Sequence, residues 1–403
     1  MRKVLGAIAA VVCLLALTSC TGDSRWQPPG ETADPPKVEF TTPADGAADV
    51  PAAVELVFTV TGTTDVTVAL ADASGAAVAG AMRPDGSSWV PDAQLEYATT
   101  YTATVTAKKS DGSTGEAKST FTTMAQPASL VDVHSFIGDN QTVGVGMPII
   151  LDLGLAVPKE HRAEIEKRLF VTSDPPQEGT WNWYSTEHNE QDLVHYRPKE
   201  FWQPGTKVNV RIATGGLWWG IKDWYGRHDL TIQFTIGKAT IMEVDNATKM
   251  MTVTQDGQVL KTIPVSLGKP TTPSSSGTML IISKEAARNL RDDSFGYDVP
   301  VTHAMRLTWG GEFIHAAPWS VPSQGKRNVS HGCVNMSTEN AAWLFDIAQI
   351  GDPVTVKGTE VNLKWGNGWT DWNVPWEEFV KGSAIPYQPP AQPTAEPTAS
   401  PSG

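Results

Sequence analysis

Cysteine is scarce in this chain: Cys13, Cys20 and Cys333 are the only three among 403 residues. Two of them fall in the N-terminal twenty residues, so no disulfide framework can staple the rest. Positive charge is also short. Lys and Arg number 31 against 44 Asp and Glu, a net charge of −13, and no basic block stands out. Nucleic acid is excluded as a partner, because phosphate contacts need a cationic surface. The only long apolar run is at the extreme N-terminus, which leaves no internal membrane span. Hydrophobic residues at 40% exclude bulk disorder. Turn formers are abundant, with 35 Gly and 29 Pro, and they favour an all-β architecture. The length allows two to four domains of about 150 residues each.

Met1-Arg2-Lys3 followed by the apolar run Val4 to Leu17 reads as a secretory signal over 1–19. It ends in Leu17-Thr18-Ser19-Cys20, which resembles a bacterial lipobox with Cys20 as the lipidated residue. The expectation is a protein held by lipid on the extracytoplasmic face of the cell membrane, reaching into the cell wall. Cys333 then remains as the one thiol of the exported chain. It is either a reactive group or a buried apolar one.

Residues 20–36 are polar and Pro-rich, a tether. From 37 to 124 short alternating runs, such as Thr100 to Val105, are punctuated by Asp85-Gly86 and Asp111-Gly112. This pattern predicts an immunoglobulin-like sandwich. Residues 125–237 repeat the plan, with Phe234-Thr235-Ile236 echoing Phe121-Thr122-Thr123. The tryptophans clustered here (Trp181, Trp183, Trp202, Trp218, Trp219, Trp224) either stack on sugars or fill cores, and burial of large aromatics favours the second. Residues 238–358 open with a β-meander turning at Asp256-Gly257, continue through a flexible loop at Pro270 to Gly277, and carry a helical spacing over Glu339 to Ile350. Residues 359–387 read as a Trp-rich cap on that unit, and 388–403 as a disordered Pro/Ala/Thr/Ser tail. The fold class expected is mainly β: two tandem Ig-like sandwiches, then a β-rich domain with one short helix.

The chemistry concentrates at Ser330-His331-Gly332-Cys333-Val334-Asn335. A thiol becomes a nucleophile only with a base or positive surroundings. Glycine beside it lets substrate and backbone approach closely. His315, ending the apolar run Phe313-Ile314, can serve as the base. On the residues alone, a structural histidine at a strand end remains open, and so does a zinc site using Cys333 with His, although the paired spacing of zinc ligands is missing.

This stretch resembles the catalytic domain of the L,D-transpeptidases, in which His precedes a Ser/Thr-His-Gly-Cys-hydrophobic-Asn motif by fourteen to seventeen residues. Here fourteen residues separate His315 from Ser330. Gly277-Thr278 matches a further element of the family pattern. The layout of lipobox, Ig-like domains, catalytic domain and Trp-rich end resembles the actinobacterial lipoprotein members. The resemblance implies Cys333 as nucleophile, His315 as general base and acid, and the Ala316 carbonyl as the group that orients His315. It implies an oxyanion hole of the Gly332 and Cys333 N–H groups with the Tyr297 hydroxyl. His331, Trp319, Asn335, Ser330 and Tyr297 would line the substrate site, with Ser330 bonding within the loop. The reaction implied is 3→3 cross-linking of peptidoglycan stem peptides. A tetrapeptide donor loses its terminal D-Ala to form a Cys thioester, and a diamino-acid side chain resolves it. Carbapenems would acylate the same Cys. No cofactor or metal is implied. Lys326 and Arg327 are the candidate basic groups near the site, and as surface loop charges the solvated reading is favoured for them.

Alternatives remain within and outside the family: an L,D-carboxypeptidase using water as acceptor, or a non-catalytic wall-binding lipoprotein. A sortase-like enzyme would need an Arg beyond Cys333, and none follows Arg327. A papain-like order would need a His beyond Cys333, and none follows His331.

Overall fold

Strict burial alternation along Thr100–Lys108 places Tyr101, Ala103, Val105 and Ala107 on one face of a sheet. Tyr101 lies opposite Phe121, and the two rings stack at 5.9 Å. The computed structural model describes residues 34–184, 192–292 and 297–389. The expected signal segment, Cys20, and most of the tether and tail lie outside these residues.

In the first unit a five-stranded sheet is ordered Ala47–Val50, Thr114–Thr123, Thr100–Lys108, Asp65–Asp72, Ala77–Val78. Two short ladders, Lys37–Thr42 with Val57–Thr61 and Gly80–Met82 with Trp89–Pro91, accompany it. Val54, Leu56, Leu70 and Trp89 join Tyr101 and Phe121 in the core.

The second unit has two four-stranded sheets. One holds Ile149–Asp152, Leu193–Pro198 and Gly179–Tyr184 with the short His134–Ser135. The other holds Gln141–Val143, Leu230–Ile236, Lys207–Ile212 and Leu169–Asp174. In both units a short early strand runs parallel to the closing strand, Ala47–Val50 beside Phe121–Thr123 and Gln141–Val143 beside Phe234–Ile236. Trp181, Trp183, Trp202 and Trp219 are buried. Trp181 and Trp202 donate their indole N–H groups to the carbonyls of Leu169 and Met147 at 3.1 and 2.9 Å. These four rings are core. Trp218 is exposed and Trp224 half-buried.

In the third unit a six-stranded sheet runs Gln258–Pro264, Met250–Gln255, Thr240–Asp245, Pro353–Lys357, Ser275–Leu280, Val361–Asn362. The Asp256-Gly257 turn has φ of +50° and +80°, the mirror-image geometry that fits a two-residue hairpin. A second sheet is ordered Ser283–Asp292, Tyr297–Arg306, Phe313–Ala316, Val334–Met336. The helix covers Thr338–Ile347; the Ser337 hydroxyl accepts from the Asn340 N–H at 3.2 Å, and Ala341 and Leu344 face the core. It stops short of Ile350, because Ala348 is extended and the Asp352 carboxylate accepts the Gln349 N–H at 2.7 Å.

Two expectations need correction. The 270–277 stretch is not a loose loop throughout: Ser275–Leu280 is a strand, and Ser274 is buried and bonded to the motif loop. The Trp-rich segment does not cap only the third unit. It returns to the second. Trp372 donates to the Gly146 carbonyl at 2.6 Å, Asp371 meets His195 at 2.9 Å, and Asn182 donates to the Phe379 carbonyl at 2.7 Å. The Arg197 guanidinium lies over Trp372, Trp376 and Phe379, at 4.4, 5.2 and 4.4 Å. Trp369 joins a hydrophobic cluster that combines the second unit's core with Leu280 and Ile282 of the third.

Candidate active site

Phe313–Ala316 and Val334–Met336 pair in parallel, with His315 opposite Asn335 and Ile314 opposite Val334. Side chains alternate along strands, so this register puts Phe313, His315, Cys333 and Asn335 toward one side. All four line one cavity of about 400 Å³, together with Trp319, Ser330 and His331. The sheet thus brings together a thiol and an imidazole eighteen residues apart in sequence.

The motif loop is clamped from several directions. Ser330 Oγ donates to the Cys333 carbonyl at 2.6 Å and accepts the Gly332 N–H at 3.2 Å. Ser274 Oγ donates to the Gly332 carbonyl at 2.6 Å and accepts the Gly268 N–H at 2.9 Å. Gly332 has φ of +124°, a backbone conformation that a side chain strongly disfavours. Ser266 and Asn335 exchange backbone bonds at 3.1 and 2.9 Å, which joins the loop to the six-stranded sheet's side.

His315 Nδ1 lies 2.9 Å from the Ala316 carbonyl. A carbonyl only accepts, so Nδ1 carries the proton and Nε2 keeps its lone pair. Burial lowers the His315 pKa below 6.5, with the Ala316 bond opposing. Burial also pushes the Cys333 thiol up to about 12, aided by the nearby Glu312. Both shifts favour the neutral forms, and the Cys333 S–H is directed at the Gly311 carbonyl at 3.7 Å.

Trp319, more than half exposed, sits in the short 3-10 helix Pro318–Ser323 with its ring centroid 6.2 Å from that of His315. His331 Nε2 is 2.9 Å from Lys269 Nζ, which donates to it. Asn335 is buried with Oδ1 unpartnered. Tyr297 begins its strand opposite Asp292; its side chain lies outside what is described. Gly332 N–H is engaged by Ser330 Oγ, so it reaches an oxyanion only by leaving that hydroxyl. Lys326 and Arg327 are exposed and do not line the cavity, whereas Arg288, Arg291 and Arg306 do. Among the described residues no three of His, Cys, Asp and Glu cluster to hold a metal.

Sequence reasoning passed over Glu312. Its Oε1 accepts the Ser275 N–H at 2.7 Å, Oε2 is buried without a partner, and burial raises its pKa. Its place directly after Gly310-Gly311 at the start of the His315 strand was the available signal. A larger cavity, about 1220 Å³, lies between the first and second units and contains neither Cys333 nor His315.

A buried thiol and an imidazole bonded through Nδ1 to a backbone carbonyl thus line one cavity on a β-rich domain. Residues 239–356 match the L,D-transpeptidase catalytic domain model, and 47–217 match a bacterial Ig domain model. The chain belongs to the L,D-transpeptidase family. It is 35% identical to L,D-transpeptidase 2 of Mycobacterium tuberculosis over 79% of this chain and 78% of that protein. L,D-transpeptidase 5 of the same species is 34% identical over 93% of this chain and 82% of that protein. A solved L,D-transpeptidase in complex with imipenem is 31% identical, covering 57% of this chain and all of that one, at a TM-score of 0.47.

Proposed function

We propose that this protein cross-links peptidoglycan stem peptides 3→3 through a Cys333 thioester. The observation that carries the reading is the His315 tautomer: with Nδ1–H tied to the Ala316 carbonyl, Nε2 is free to take the thiol proton within the same cavity. The S–H turns from the Gly311 carbonyl toward His315. Sulfur attacks the carbonyl of the diamino acid at stem position three. His315 then gives its proton to the leaving D-Ala amine. The side-chain amine of a second stem attacks the thioester, His315 accepts its proton, and the thiol is restored. Oxyanion stabilisation falls to the Cys333 N–H, to the Gly332 N–H once released by Ser330, and to the Tyr297 hydroxyl. Trp319, His331 and Asn335 contact the stem. Carbapenems acylate the same sulfur. Lipidation at Cys20 would anchor the chain to the outer face of the membrane, with the sandwiches spanning toward the wall.

The test is incubation with disaccharide-tetrapeptide monomers, followed by mass spectrometry, with Cys333→Ala as control. A dimer lacking one D-Ala, absent in the control, is the expected product. Tripeptide monomer alone would move the protein to the carboxypeptidase reading, and no product from either protein would leave a wall-binding role.

A further inference from the structure

The cavity that holds Cys333 is cationic on one side, in a chain whose net charge is −13. Arg288 and Arg306 both lie over the ring of Phe313, at 5.2 and 5.5 Å from its centroid, and Phe313 packs with Cys333. The Arg306 guanidinium is held by two neutral acceptors, the carbonyls of Thr308 and Trp309, each at 2.9 Å. Arg288 pairs with Glu285 at 2.5 Å, and its Nε is buried without a partner. Glu285 is thus bonded to Arg288, while Arg306 is held by carbonyl oxygens and, among the described residues, by no carboxylate. Burial and the neighbouring Arg288 both lower the Arg306 pKa, while Glu285 opposes them, consistent with a positive charge only partly compensated. A planar guanidinium fixed on an aromatic face with open N–H groups is suited to a carboxylate.

We propose that Arg306, assisted by Arg288, binds a carboxylate of the stem peptide in the Cys333 cavity and so determines substrate choice. The inference rests on the cross-linking function proposed above. Two carboxylates of a stem have the right chemistry: that of the terminal residue, which departs with the leaving group, and that of the diamino acid under attack.

The experiment compares three disaccharide-tetrapeptides with the full chain: one with both carboxylates free, one with a terminal carboxamide, and one amidated at the diamino acid. Amidation of the recognised group should raise KM roughly tenfold to a hundredfold, the range expected for a lost charged hydrogen bond. Arg306→Gln should show that raised KM on the free acid and no further change on amidation. Arg306→Lys should recover part of the discrimination. Arg288→Gln should weaken it, and supplies a second reading if Arg306→Gln does not fold. Which amide raises KM identifies the carboxylate. The proposal is overturned if wild type turns over all three with equal KM, or if folded arginine variants discriminate as wild type does. A folded wild type that processes none of the three would instead overturn the cross-linking function, and this inference with it.

Discussion

His315 Nδ1 hydrogen-bonds the carbonyl of Ala316, its own successor in the chain, at 2.9 Å. In the proposed mechanism this backbone atom takes the orienting role that a carboxylate fills in other nucleophile–base pairs. The Ala316 side chain takes no part in the bond, so Ala316→Ser should keep kcat/KM within about twofold. His315→Ala should lower it by about 10²–10⁴, the usual share of a general base. Steady-state D-Ala release measures both. A large loss in Ala316→Ser would show that the side-chain position matters.

The pH profile of Cys333 acylation follows from the two shifts. His315 titrates below 6.5, and it must be neutral to accept a proton. Activity should therefore fall only as pH drops below that value. The thiol, pushed up to about 12, adds no limb near neutrality. Alkylation by iodoacetamide without substrate should be slow at pH 7 and quicken steadily with alkali. Fast alkylation at pH 6 would mean a thiolate–imidazolium pair instead.

Ser330 satisfies the Cys333 carbonyl and the Gly332 N–H with one hydroxyl. Ser330→Ala leaves both groups short of a partner, at a cost of about 1–3 kcal/mol. Calorimetry should show the lowered Tm, and kcat should fall as the loop loosens. Ser330→Thr should restore most of both.

Burial raises the Asp352 carboxyl to about 8 from 3.8, with the Gln349 N–H and Lys284 opposing. The folded state binds more protons than the unfolded state across this window, so stability declines as pH rises through it. Asp352→Asn should remove that slope. Its Tm advantage over wild type should be largest at pH 8–9 and shrink toward pH 4. Parallel Tm curves for the two proteins would contradict the shift.

Trp369 is buried in a hydrophobic cluster shared by the second sandwich and by Leu280 and Ile282 of the third unit. Trp369→Ala should cost about 3–5 kcal/mol, as for other buried tryptophans. Hydrogen exchange should show protection lost in Leu193–Pro198 as well as in the third unit. Loss confined to the third unit would argue against a shared cluster.

Much of this was legible in the residues. The alternation in Thr100–Lys108, the Asp256-Gly257 hairpin, the helix behind Ser337 and the motif around Cys333 are local signals, and local chemistry produces them. What escaped is non-local. Ser283–Asp292 has a composition rich in Ala, Arg, Lys and Glu that favours helix, yet it pairs along its length with Tyr297–Arg306. Tertiary pairing overrode propensity. Ser274, Glu312, Arg288 and Arg306 acquire meaning only when the sheets bring them to the Cys333 loop. Lys326 and Arg327, adjacent to the motif in sequence, point to no such place. They are the solvated loop charges that the sequence favoured.

The return of the C-terminal segment has a mechanical consequence. The backbone crosses between the second sandwich and the catalytic domain near Gly237, then crosses back through Trp369 and Trp372. One crossing would permit swivelling about a single tie. Two separated crossings resist twist, because any rotation must shear the second set of contacts. The sandwich then behaves as the shaft of the catalytic head rather than as a leash. Displacement of the second sandwich is delivered to the active site as reorientation, not as slack.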